Sequence, residues 1–210
     1  CIFLLNSSLN STSISDSSIN TSYANAPKAT LYGVELEAQK YFPLDTLSDS
    51  PFWASRRLVL IGNYTFTKSD IKVGAGDTTV INGVVQDASN YFFDGSPLTG
   101  QSDHLVNVQI GLEDQDKLSQ QTLLITYASP RVTSRGPSGQ PDLLEKPGIQ
   151  LDFVARQGLT LLNKEIELKF EARNLTGRKY QEVQTSGDNK IYFNRYKLGR
   201  TFSLSASLKF

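Results

Sequence analysis

The sequence predicts an all-β protein, an antiparallel transmembrane β-barrel, on three observations. Seven segments alternate apolar and polar residues with the period of two that belongs to strands. These segments run to about ten residues, near the ~9–11 that a tilted strand needs to cross a bilayer; strands in soluble proteins average ~5–6. After Asp70 the connections alternate long, short, long, short, long. Outer-membrane barrels show that asymmetry, with short periplasmic turns and longer extracellular loops, and sandwiches have no such rule.

Composition narrows the function. The 210 residues carry 21 basic and 21 acidic side chains and no basic tract, which argues against a nucleic-acid partner. Mean hydropathy is −0.29. No apolar run approaches the ~18 residues of a membrane helix, and alternating barrel strands average to such a value. Cys1 is the single cysteine, so no disulfide or thiolate metal site is expected. The chain opens without Met or a signal peptide and reads as a fragment, about seven to eight C-terminal strands of a larger barrel.

Taken in order, residues 1–25 read as a partial strand at 2–5 and a Ser/Asn-rich loop; Asn-x-Ser/Thr triplets at Asn6, Asn10 and Asn20 reflect that composition. Residues 26–210 hold the barrel strands. In 30–42, Tyr32, Val34, Leu36 and Ala38 share one face, and Gly33, Glu35, Glu37 and Gln39 the other. Residues 57–70 alternate next, less cleanly at Val59 and Ile61. A long Gly/Asp-rich connection, 72–101, leads to 104–113. A short polar turn precedes 121–131, and a second long loop covers 131–147. Residues 149–156 and 165–173 form a tight pair, and 165–173 has the cleanest alternation: Ile166, Leu168, Phe170 and Ala172 against five charged residues. A third long connection, about 176–195, reaches the last strand, where Phe202, Leu204, Ala206, Leu208 and Phe210 alternate with Ser and Lys to the final residue.

Four segments then carry a resemblance. YGVELE within APKATLYGVELEAQKYF, NYTFTKSD, LTGQSDHLVNVQIGLE, and FEARNLTGRKYQE followed by a strand ending in Phe resemble, in order and spacing, the TonB-dependent outer-membrane receptors. The likeness covers roughly residues 26–210. It implies a barrel of roughly 22 strands plugged by an N-terminal domain, located in the outer membrane of a Gram-negative cell. It also implies active uptake of a scarce ligand, siderophore-bound iron being the commonest class. The implied partners are outer-membrane lipid, the barrel assembly machinery, and a plug and TonB complex acting through a region not included here. Without that region the fragment alone is not expected to transport. The final strand, with Phe202, Leu204, Leu208 and Phe210, matches the signal by which such barrels are assembled. A small complete passive pore and a soluble β-sandwich binding module are the alternatives.

The candidate site residues fall in two groups. Glu35, Glu37, Asp152, Arg156, Glu165, Glu167, Lys169, Glu171 and Arg173 are expected to face the lumen. There they would meet plug or ligand, or simply form a hydrated wall paired across strands, with Arg156 beside Glu165 or Glu167 and Asp152 near Lys169. Tyr91, Phe92 and Phe93, in the longest loop, offer stacking area to a ligand, or else pin that loop to its neighbours. Tyr41, Phe42, Phe52 and Trp53 fit an interfacial aromatic girdle. His104 has no second His or Cys beside it in a metal-binding pattern, and no hydrolase arrangement is legible. The expectation is a non-enzymatic protein with no cofactor and no metal.

Overall fold

The computed structural model describes residues 8–15, 18–46, 50–136, 139–161 and 164–208. The possible strand at 2–5, Cys1, Asn6 and the terminal Phe210 lie outside the described residues. Seven strands make the wall: β1 (Lys28–Pro43), β2 (Arg56–Lys72), β3 (His104–Asp114), β4 (Ser119–Ala128), β5 (Gly148–Leu161), β6 (Lys164–Arg173) and β7 (Thr201–Leu208). Each pairs antiparallel with its neighbour in sequence, so the spatial order is the chain order, an up-and-down meander. The sheet is open, with β1 and β7 at its two edges.

The register turns the local alternation into two continuous faces. One hydrogen-bonded row reads Lys40, Leu60, Ile110, Leu123, Phe153, Ala172 and Phe202. The next reads Phe42, Leu58, Leu112, Gln121, Ala155, Phe170 and Leu204. This apolar face is bare: Leu36 is 60% and Leu204 74% exposed. In a β-sandwich a second sheet would cover it, and none does so among the described residues. From Tyr32 to Phe42 the face runs ten residues along β1. At ~3.3 Å per residue and a tilt near 40° that is a height of roughly 25 Å, the apolar band of an outer-membrane barrel.

All three long connections leave from one end of the sheet, and the strand pair preceding β1 joins them there. The composition of residues 6–25 reads as loop, yet Ser8–Ser15 and Ser18–Asn25 pair over their full length. The long loops also hold strands that their composition hides. Thr78–Ile81 pairs with Val84–Asp87 across an Asn82-Gly83 turn in which both residues have positive φ, 52° and 80°, the demand that selects Asn-Gly. Arg131–Ser134, Leu143–Glu145, Lys179–Ser186 and Asn189–Lys197 form a four-stranded sheet joining the connections after β4 and β6. The predicted segment 121–131 accordingly ends at Ala128, because Ser129 and Pro130 leave the ladder and Pro130 has no N–H to donate. In contrast, β5 runs five residues past its predicted end at Arg156, with Gly158 tucked against Leu118 and donating its N–H to the Leu118 carbonyl at 2.6 Å.

The largest buried apolar cluster lies in this loop layer, not in the wall. Ala24, Ala26, Ala29, Ile71, Ile81, Ala88, Phe92 and Leu98 pack together around the projecting ends of β1 and β2. The β1–β2 pair also contains a close approach. A Cβ at Gly33 would fall inside contact distance of the Phe66 carbonyl oxygen and near the Thr67 backbone, whereas one at Gly62 meets nothing within 4 Å. Gly33→Ala is therefore expected to cost about 1–3 kcal/mol, and Gly62→Ala little, in urea unfolding of the folded barrel. Equal midpoints for the two variants would contradict the close approach.

Candidate functional site

The nine predicted lumen charges all lie on the face opposite the apolar one, as the register requires. Most of them form a chain of alternating charge across β5 and β6. Arg156 Nε donates to Glu167 Oε1 at 2.7 Å. Lys169 Nζ lies 3.2 Å from Glu171 Oε1, which also accepts from the Arg173 guanidinium at 2.6 Å. Arg173 reaches Asp152 Oδ2 at 3.4 Å. Asp152 does not sit near Lys169. The β5–β6 register sets Arg156 opposite Lys169 and Phe153 opposite Ala172, so Asp152 comes level with Arg173. On β1, Glu35 accepts from Asn63 Nδ2 at 3.0 Å. Half-exposed pairs of this kind contribute roughly 0–1 kcal/mol each; together with Glu35, Glu37 and Glu165 they give this face a net negative charge.

Asp152 has a second task. Its Oδ1 accepts the backbone N–H of Asn174 at 2.7 Å, just past the end of β6. Asn174 is buried and takes the left-handed conformation, φ 56°. Its amide donates to the carbonyls of Gly199 (2.5 Å) and Arg178 (3.2 Å), and its Oδ1 accepts from the Arg178 N–H at 2.8 Å. One side chain thus holds the end of β6, the start of the last connection and the entry to β7. In the sequence it stands out only as an Asn-x-Thr triplet within FEARNLTGRKYQE, and an Asn directly after a strand is also a turn signal.

The aromatic trio separates. Phe92 is 1% exposed and packs in the loop cluster, with an edge on the shallow recess beside Phe93. Tyr91 packs against the same cluster and donates its hydroxyl to Gln86 Oε1 at 2.5 Å. Phe93 alone faces outward, 42% exposed, beside a shallow recess lined by Gly74, Gly76, Asp87, Ser89 and Asp94. Asp87 accepts from the N–H and hydroxyl of Ser89, which holds its carboxyl below the usual range. The girdle also divides. Phe42 lies on the apolar face, but Tyr41 points to the polar one, under the Arg57 guanidinium at 4.3 Å, because neighbours in a strand face opposite ways. Phe52 and Trp53 meet edge to face in the short helix Pro51–Ala54, with Arg56 over Phe52 at 4.0 Å. At the other end of the wall Tyr32, Tyr64, Phe66 and Tyr127, from three strands far apart in sequence, share the apolar face as a second band. His104 completes it, its Nδ1 2.9 Å from the Tyr64 hydroxyl.

Long braced connections at one end, shorter ones at the other, a bare apolar face and a charged opposite face are the features of a β-barrel wall. The family described as TonB dependent receptor-like, beta-barrel matches residues 4–175, and the chain belongs to it. That family comprises outer-membrane transporters rather than enzymes. The match starts upstream of the resemblance read from the four segments and stops at the start of the last connection, before β7. Neither curated proteins nor solved structures give a match.

Proposed function

We propose that this chain forms part of the wall of a receptor for active uptake of a scarce small ligand across the outer membrane, with iron–siderophore complexes as the first class to test. The observation that carries the reading is the pairing of an uncovered apolar face about one bilayer high with a charged opposite face. On this reading the nine charges from Glu35 to Arg173 line the lumen, where they meet water, the plug and the passing ligand. On the same reading Phe93, the exposed member of its trio, offers stacking area to that ligand, with Phe92 beside it at the recess. The alternating strand with Phe202, Leu204, Leu208 and Phe210 serves as the assembly signal, and energy reaches the barrel through a plug and the TonB complex.

The topology is directly testable. The Asn82-Gly83 turn caps the hairpin in the longest connection. A peptide tag inserted after Gly83 in the full-length protein should bind antibody on whole cells. Labelling only after the outer membrane is permeabilised would reverse the orientation and with it the reading of every long connection.

A further inference from the structure

We propose that the apolar face carries a phospholipid headgroup site at the end with the shorter connections, where Lys40 holds the phosphate of an anionic phospholipid. The inference rests on the receptor reading, which sets this face against lipid. It goes beyond that reading by naming the lipid and the residue that selects it.

Lys40 stands apart within the apolar band. Across the wall strands, the register rows from Val34 to Phe42 hold no other Lys, Arg, Asp or Glu on this face among the described residues. A cation facing lipid is costly at mid-membrane and costs little at the interface, so a long side chain turns toward the nearer rim. Lys40 does so. It lies two residues from Phe42, where the band ends. That is roughly 5 Å from the rim, at ~3.3 Å per residue and a tilt near 40°. Its Nζ sits 6.0 Å from the centroid of the Phe42 ring. The side chain therefore extends toward that rim and brings its ammonium to the depth of lipid phosphates.

No carboxylate of the wall is free to meet it there. Among the described residues, Asp114 is the one acidic residue on this face at that end of the wall strands. Its side chain is 2% exposed and is shared by Arg56 and Lys117, at 3.8 and 3.9 Å, which leaves Lys40 without an ion pair among the described residues. Arg56 is a second cation at the same rim, on the strand beside β1. It is 7% exposed beneath the Phe52 ring, and its Nε has no hydrogen-bond partner among the described residues. A lipid phosphate brings both the oxygen acceptors and the negative charge that this rim lacks. Phe42 and Phe52, 41% and 50% exposed, supply apolar area for the glycerol backbone and the upper acyl chains.

The test uses the full-length protein in vesicles, with Cys1→Ser and a fluorophore on Cys substituted at Leu60, level with Lys40 on the next strand. Brominated lipids serve as quenchers. Brominated phosphatidylglycerol should bind beside Leu60 about fivefold more strongly than brominated phosphatidylcholine, the gain one lysine gives at an anionic surface. K40Q should bring that ratio to about one, and K40R should keep it. A fluorophore at Leu204, in the row of Phe42 but at the far edge of the sheet, should show no preference. A ratio near one at Leu60 in the protein with Lys40 intact would overturn the site; a carboxylate reaching Lys40 from the strand that flanks β1 gives that result. So would a ratio that survives K40Q, or one equally large at Leu204, which is general attraction of anionic lipid. Quenching at both positions without preference removes the headgroup site alone. Absence of quenching at both by either lipid removes the lipid reading of the face itself.

Discussion

Leu168→Lys is expected to destabilise the folded barrel by about 2–4 kcal/mol, the range for a cation placed on the lipid face near mid-membrane. Leu168 is the fifth of ten residues in β6 and shares the apolar face with Phe170 and Leu204. Its neighbour Lys169 points to the other side, beside Glu171 at 3.2 Å. Lys169→Leu removes one exposed ion pair and should cost about 1 kcal/mol or less. Urea unfolding of the full-length protein in lipid vesicles, followed by heat-modifiable mobility, measures both. A fluorophore on Cys substituted at Phe170 supplies a second readout. Quenching by lipid-borne quenchers is expected there, and its absence both there and at Leu204 would leave the lipid assignment of this face unsupported.

Asn174→Ala should rank next, at about 2–4 kcal/mol. Four partners, the carbonyls of Gly199 and Arg178, the N–H of Arg178 and the hydroxyl of Thr176, lose the hydrogen bonds of the buried Asn174 side chain; part-buried groups left unmatched cost up to roughly 1–3 kcal/mol. The left-handed backbone adds about 1–2 kcal/mol for any residue with a Cβ and no side-chain compensation. Asn174→Gly separates the two contributions, since it restores the backbone and leaves the bonds unmade. It should recover about 1 kcal/mol relative to Ala in the same unfolding titration. Identical stabilities for the Ala and Gly variants would show that the left-handed backbone contributes nothing, and full stability in both would dismiss Asn174 as the staple joining β6 to β7.

The alternating segments were legible because the signal for a wall strand is local. In 165–173, a face of Ile166, Leu168, Phe170 and Ala172 against five charged residues needs no partner to be read, and β6 is found there. The pairing of Arg156 with Glu167 was legible for a similar reason, since a tight turn leaves few registers open. Its neighbour shows the limit: Asp152 meets Arg173 rather than Lys169 because the turn is centred one or two positions beyond where the residues alone suggest.

What the sequence by itself determined is the meander, the two faces of its strands and the end from which the long connections leave, since period two and turn length are properties of the contiguous chain. The tertiary structure alone decided that the connections are built and braced. Val183 pairs with Leu144 across nearly forty intervening residues, and the buried Arg135 guanidinium joins Asp142 to the Pro97 carbonyl, linking two connections. It also decided which of three consecutive aromatics is buried. Phe92 is enclosed by Ala24, Ile71 and Leu98, residues from three separate stretches, and burial among such distant neighbours leaves no periodic trace in the chain around it.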